Sequence, residues 1–341
     1  MYSTGERCVR ALVPARPHLP TDTSKVRPQS RVLHPHHDSS AAPLQARSAI
    51  KHIPIIIMPS LQNSKLAFIG GGNMASAIIG GLLAQGINKQ NITVSEPWDV
   101  NRNKIAELGV QTTTSNVTAG GEADLVIIAV KPQVTKSVCE ELANAWSKRE
   151  NLPVVVSIAA GITLGSLQQW LKTSDGKTAH IVRVMPNTPA LVGEGSSGLF
   201  ASQDVTADEK ELVNAVLGTV SKATEWVDKE ELIDVVTGLS GSGPAYFFAM
   251  VEHMIASATA LGMPAEQATR LAAQTCLGAG KMLTTSSDSP TQLRKNVTSP
   301  NGTTHAALET FNSLNFDQVV DKAVKAATSR AAELGDTLGK N

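Results

Sequence analysis

The chain is 341 residues long, with 30 Lys and Arg against 30 Asp and Glu and a formal net charge of zero. A balanced chain lacks the basic excess of a nucleic-acid or anionic-membrane binder, and 42% apolar with 18% charged residues is a globular composition, not a disordered one. The apolar runs, such as Ile53 to Met58 and Leu125 to Val130, are too short to span a bilayer, and Cys8, Cys139 and Cys276 are too scattered for a disulfide framework or a zinc site. No nucleic-acid partner, membrane partner or metal is therefore expected.

Residues 1–62 differ from the rest. They carry 8 Lys and Arg against 3 Asp and Glu, with 8 of the 17 prolines. Such a segment buries too little apolar surface to offset its ordering entropy, so a disordered extension is expected. Two readings stay open. The Arg-rich, acid-poor composition fits a mitochondrial transit segment, although the prolines oppose an amphipathic helix. Alternatively Met58, seven residues before the first strand, is the functional start, and the protein is cytoplasmic.

From Lys65 the chain alternates. Lys65 to Ile69 reads as a strand, Asn73 to Gln85 as a helix, Asn91 to Ser95 as a strand, Asp99 to Leu108 as a helix and Val110 to Thr113 as a short strand. Leu125 to Val130 and Pro153 to Ile158 are continuous β-branched runs, the mark of parallel strands buried on both faces. Repeated βαβ units predict an α/β fold with a doubly wound parallel sheet over residues 63–227. After about Asp228 strand signals vanish. Helices are expected over Leu232 to Leu261, from Pro264 to about Leu283, over Thr304 to Leu314 and over Phe316 to Leu338, giving an all-helical domain over 228–341.

Four segments carry chemistry. Gly70-Gly71-Gly72-Asn73-Met74-Ala75 follows a strand and opens a helix, as a dinucleotide fingerprint of the Gly-x-Gly-x-x-Ala kind does. Gly70 permits the turn, Gly72 admits a pyrophosphate, and Ala75 lets the helix lie close to the sheet. At the end of the second strand, Glu96 suits a ribose 2′-hydroxyl, whereas Arg102 and Lys104 suit a 2′-phosphate, so NADH and NADPH both remain open. Ala129 to Pro132, Ala159 to Gly161 and Met185 to Pro189 follow later strands at the ligand-binding edge, where small and proline-fixed segments suit a flat nicotinamide. Finally, Thr237 to Tyr246 and Asn296 to Thr304 combine turn formers with hydroxyls before helices, and backbone N–H groups there suit a small anion. With no metal cluster and no catalytic triad in view, hydride transfer from a nicotinamide is the expected chemistry.

These segments resemble Δ1-pyrroline-5-carboxylate reductases from about Lys65 to Leu338. The most specific stretches are VTGLSGSGPAY at Val236 to Tyr246 and LRKNVTSPNGTTHAAL at Leu293 to Leu308. The chain departs from the family at Asn301, where a glycine is usual; asparagine also tolerates a left-handed backbone. The resemblance implies a Rossmann-like domain followed by an all-α dimerisation domain. It implies NADPH, with NADH as the other cofactor, and a homodimer that in many members assembles into a pentamer of dimers. The cofactor-binding residues it implies are Ile69, Gly70, Gly71, Gly72, Asn73, Met74, Glu96, Asn116, Ala129, Val130, Lys131 and Pro132. The substrate-binding residues it implies are Glu230, Asn296, Ser299, Gly302, Thr303 and Thr304, with Thr304 as the catalytic hydroxyl. Two other readings compete with this one: a two-domain dehydrogenase of the β-hydroxyacid type, whose lysine spacing Lys295-Asn296 does not reproduce, and a non-catalytic nucleotide sensor.

Overall fold

The computed structural model describes residues 59–338. The expectations for the N-terminal extension lie outside the described residues except at its end. There the structure moves the boundary: helix α1 (Pro59–Asn63) belongs to the folded part, with Leu61 fully buried in the core and the Asn91 amide donating to the Gln62 carbonyl at 2.9 Å. One apolar anchor in a polar segment was too little pattern to be read as an element.

Eight strands form one sheet: β1 (Leu66–Ile69), β2 (Ile92–Ser95), β3 (Gln111–Thr113), β4 (Leu125–Ile128), β5 (Val154–Ser157), β6 (Ile181–Met185), β7 (Gly195–Ala201) and β8 (Ser221–Trp226), in the order 3-2-1-4-5-6-7-8. The first six are parallel, as expected. β7 then pairs antiparallel with β6, and β8 parallel with β7, so the parallel sheet carries two reversed strands at one edge. Every residue of β1, β4 and β5 is buried. Alternate residues serve opposite faces, as a period of two requires. Leu66, Phe68, Leu125, Ile127 and Val156 join one core, and Ala67, Ile69, Val126, Ile128 and Val155 the other.

Helices α2 (Asn73–Ala84), α3 (Asp99–Ala106), α4 (Asn116–Gly120), α5 (Pro132–Trp146), α6 (Leu164–Trp170) and α7 (Ala207–Leu217) surround the sheet. The helical part follows with α8 (Leu232–Val236), a π-turn at Thr237–Gly241, α9 (Gly243–Ala260), α10 (Ala265–Thr285), α11 (Pro290–Asn296), α12 (Thr303–Ser313) and α13 (Phe316–Leu338). Sheet and helical part pack as a single compact unit. Two glycine contacts account for this. A Cβ on Gly198 of β7 would lie 2.6 Å from the Val236 methyls, and one on Gly161 would lie 3.3 Å from Leu338 at the end of α13. Among the described residues no helix is long and apolar enough to cross a membrane.

Candidate dinucleotide and substrate site

The sheet order reverses between β1 and β4, and the first chemical segment sits at that switch point. The Gly70 N–H donates to the Ser95 carbonyl at 2.8 Å, and the Ala129 N–H to the Ile69 carbonyl at 2.8 Å, so three strand ends meet. Gly70 has φ +104°, and a Cβ there would lie 2.6 Å from the Ala129 carbonyl oxygen. Gly72 differs. It is the N-cap of α2 in ordinary extended backbone, no side chain caps the helix, and apart from its own chain neighbours no described atom lies within 4 Å of where its Cβ would stand. Nothing inside the protein demands glycine there; an open cradle beside unfilled helix N–H groups does. Those N–H groups and the positive end of α2 suit a pyrophosphate, so the residues present fit a dinucleotide. Ala75 is buried against the sheet, as the fingerprint requires.

The remaining cofactor-side residues gather around this turn. Ile69 gives its side chain to the core, so only its backbone borders the site. Asn73 is exposed and Met74 half-buried. Ala129 and Val130 pack at the end of β4, the exposed Lys131 is the N-cap of α5, and Pro132 opens that helix. Asn116, at the start of α4, accepts from the Ser95 hydroxyl at 2.7 Å and donates to Glu141 Oε2 at 2.7 Å, which fixes its amide. Glu96 is buried, and both its oxygens are occupied: Oε2 accepts the Gly71 N–H at 2.8 Å and Oε1 the Trp98 N–H at 2.9 Å. It braces the two turns against each other.

Two segments fold differently from the expectation. Thr237 to Tyr246 is not a turn that offers N–H groups. It is a π-turn joined through a bend at Ser242 to α9: the Ser242 N–H closes the π-turn on the Thr237 carbonyl at 2.8 Å, and the Tyr246 hydroxyl donates to the Gly238 carbonyl at 2.8 Å. Its glycines serve packing. A Cβ on Gly238 would collide with Thr328 and lie 2.9 Å from the Val324 carbonyl of α13, and one on Gly241 would lie 2.6 Å from Met185. Gly161 likewise receives α13, so its smallness is explained without a nicotinamide. Asn187, within Met185 to Pro189, joins the two parts: its amide donates to the Ser240 carbonyl at 3.1 Å and accepts the Ser196 N–H at 2.9 Å.

The substrate-side residues fall in two places. Asn296 ends α11, donating to Asp288 at 3.0 Å and accepting from Gln292 at 2.7 Å. Asn301 has φ +59°, the left-handed backbone expected of an asparagine that replaces glycine. Gly302 is the N-cap of α12, which no side chain caps; Ser299 and Thr303 are exposed and Thr304 is half-buried. Glu230 stands elsewhere. Its Oε1 accepts the Leu164 N–H at 2.6 Å and forms an ion pair with the buried Arg183 of β6. One oxygen of its carboxylate therefore caps α6 and neutralises a buried guanidinium, and both contacts use Oε1. A single arginine inside the apolar strand IVRVM was the sequence signal for this pair, because such a charge needs a partner. Asp234 lies near it, its carboxyl raised by burial against the opposing pull of Arg183. Among the described residues, no hydrogen bond or ion pair joins the 296–304 loop to the dinucleotide turn, and no group of three or more His, Cys, Asp or Glu is placed to hold a metal ion.

Cys139 lies on the buried face of α5, and burial, assisted by the Glu140 charge, pushes its thiol up to about 12. The thiolate is the reactive form. Iodoacetamide at pH 8 is accordingly expected to spare Cys139 in the native protein and to label it after unfolding in urea, with peptide mass mapping as the check; native labelling would contradict its burial.

Comparison with known proteins decides the family. Residues 230–334 match a model described as pyrroline-5-carboxylate reductase dimerisation, and residues 65–161 one described as NADP oxidoreductase coenzyme F420-dependent. Pyrroline-5-carboxylate reductase from Pseudomonas aeruginosa is 45% identical over 281 residues, covering 82% of this chain and 100% of that protein. The chain belongs to the pyrroline-5-carboxylate reductase family. Among solved structures, the reductase from Coxiella burnetii matches with a TM-score of 0.74 at 41% identity, covering 80% of this chain and 98% of that one. The Plasmodium falciparum pyrroline carboxylate reductase, solved with NADP bound, matches with a TM-score of 0.69 at 30% identity over 80% and 99% of the two chains. The dimerisation match coincides with the helical part, which makes this a homo-oligomeric architecture.

Proposed function

We propose that this chain reduces Δ1-pyrroline-5-carboxylate to L-proline with NADPH. The open cradle at Gly72, in a chain that spans its reductase relatives almost end to end, carries this reading. When bound, the cofactor supplies the hydride that adds to the imine carbon, and water supplies the proton that the ring nitrogen gains. The protein's work is positional. First-turn N–H groups of α2 hold the pyrophosphate, and Asn116 and the Ala129 to Pro132 loop border the rest of the cofactor. The loop amides of Ser299 and Thr303 at the start of α12 hold the substrate carboxylate, with Asn296 behind them, while the Gly302 N–H closes the loop on the Ser299 carbonyl at 3.0 Å and gives shape rather than a donor. The Thr304 hydroxyl hydrogen-bonds the ring nitrogen; an alcohol is a weak acid, so it orients and relays a proton rather than ionising. Holding donor and acceptor carbons at roughly 3–3.5 Å supplies most of the acceleration.

The loop around Thr304 rides on the helical part, so the working unit is a dimer, and a pentamer of dimers is the larger assembly. The relatives support a cytoplasmic location, with a mitochondrial one as the alternative that residues 1–57 leave open. Thr304→Ala is expected to lower kcat by about 100-fold while the dissociation constant for NADPH stays within about 2-fold, and Thr304→Ser to recover most of the rate. Unchanged turnover in Thr304→Ala would remove the hydroxyl from the mechanism.

A further inference from the structure

We propose that Arg102, held ready by the β2–α3 turn and masked by Asp99, receives the cofactor's 2′-phosphate and sets a preference for NADPH over NADH. The inference rests on the dinucleotide reading above and adds the residues that discriminate.

The end of β2 is where an adenine ribose is read in this type of sheet, commonly by a carboxylate that accepts from the 2′-hydroxyl. The carboxylate is present here as Glu96, but it is buried and both its oxygens are occupied by backbone N–H groups. What the turn presents is a cation. Arg102 Nη1 donates to the Glu96 carbonyl at 2.9 Å and to the Pro97 carbonyl at 3.0 Å, so two neutral oxygens of the turn fix the guanidinium without cancelling its charge. Nη2 meets Asp99, whose side chain is 77% exposed. The Arg102 side chain is 21% exposed, so the pair is open to water and salt from the Asp99 side, where screening weakens it. A phosphate dianion offers more charge and three acceptor oxygens, and the planar guanidinium fork suits it better than it suits one carboxylate. Asp99 is thus a displaceable placeholder that keeps the cation from binding stray anions. Lys104, two residues on, is exposed and makes no described hydrogen bond to the turn.

The test is calorimetric titration of the full chain with NADPH, NADH and adenosine 2′,5′-bisphosphate. Arg102→Met is expected to weaken NADPH and the bisphosphate about 10- to 100-fold and to leave NADH within about 2-fold. Asp99→Asn is expected to tighten NADPH about 2- to 5-fold with no change for NADH. This second variant alters only an exposed carboxylate, so it keeps the idea falsifiable if loss of Arg102 disturbs the turn. Lys104→Met is expected to change neither cofactor by more than about 2-fold. An equal loss of NADPH and NADH in Arg102→Met, no loss in either, no gain in Asp99→Asn, or a loss carried by Lys104→Met overturns the proposal while leaving the reductase reading intact. Failure of the parent chain to bind all three ligands overturns the dinucleotide site itself.

Discussion

Gly72→Val is expected to fold and to lose its cofactor, whereas Gly70→Val, two residues away, is expected to lose stability first. The contrast follows from what each missing side chain would meet. At Gly72 the backbone is extended and the space is empty, so the protein itself resists valine only through the poorer helix cap, roughly 1 kcal/mol. For a chain of this size that is a few degrees in Tm. The same methyl groups would fill the space over the first-turn N–H groups of α2, and NADPH affinity should fall at least about 100-fold. At Gly70 the φ of +104° is strained for any L side chain, at about 1–3 kcal/mol, before the clash with the Ala129 carbonyl is added. That neighbour is backbone at the end of β4 and cannot swing away. A Tm lower by roughly 10 °C is expected. Thermal melts and NADPH titrations on both variants decide the matter. A Gly72→Val protein that binds NADPH as the parent does would show that the cradle is not where the pyrophosphate lies.

The parts of this fold that the sequence announced are those where local pattern and tertiary role coincide. β1, β4 and β5 are buried on both faces and are written as unbroken apolar runs, so strand and location could be read together. The Gly70 to Ala75 turn was legible because its strand–turn–helix context is itself local. β7 was not. Its sequence GSSGLFA has little β-propensity, and it is a strand because β6 and β8 pair with it while Gly198 admits Val236. The same logic misled at Thr237 to Tyr246: three glycines in six residues look like a ligand-binding turn, yet Gly238 and Gly241 exist to let α13 and Met185 approach a helix. A glycine records that something comes close, not what it is. Glu230 shows the limit for charged residues, since its partner Arg183 lies 47 positions away in sequence and is visible only once β6 and the start of the helical part are side by side.

The largest functional loss is expected from a residue outside both ligand sites. Phe248→Glu should break the homo-oligomer and abolish turnover while leaving the sheet folded. In one chain the α9–α10 hairpin exposes apolar side chains that no monomer needs: Phe248 is 68% exposed and Leu277 64%. With Val251, Ile255 and Cys276 they line an apolar groove of about 570 Å³, and a second groove of about 680 Å³ runs from α9 and α10 to the Asn187 loop. These residues lie within the stretch that matches the dimerisation model. Burying one phenylalanine contributes about 1.5–3 kcal/mol, and two-fold symmetry counts each substitution twice. Losing that and forcing two carboxylates into the interface costs at least about 6 kcal/mol, or roughly 10⁴-fold in the dimer dissociation constant. None of these side chains belongs to either core of the sheet, so far-UV circular dichroism should hold. On the function proposed above activity should nevertheless vanish: among the described residues no hydrogen bond or ion pair joins the Thr304 loop to the dinucleotide turn, and the proposed dimer is what would complete the site. Sedimentation velocity and turnover, measured on the same sample across a concentration series, must then fall together. A Phe248→Glu protein that sediments as a monomer yet reduces its substrate at the parental rate would place the whole active site inside a single chain.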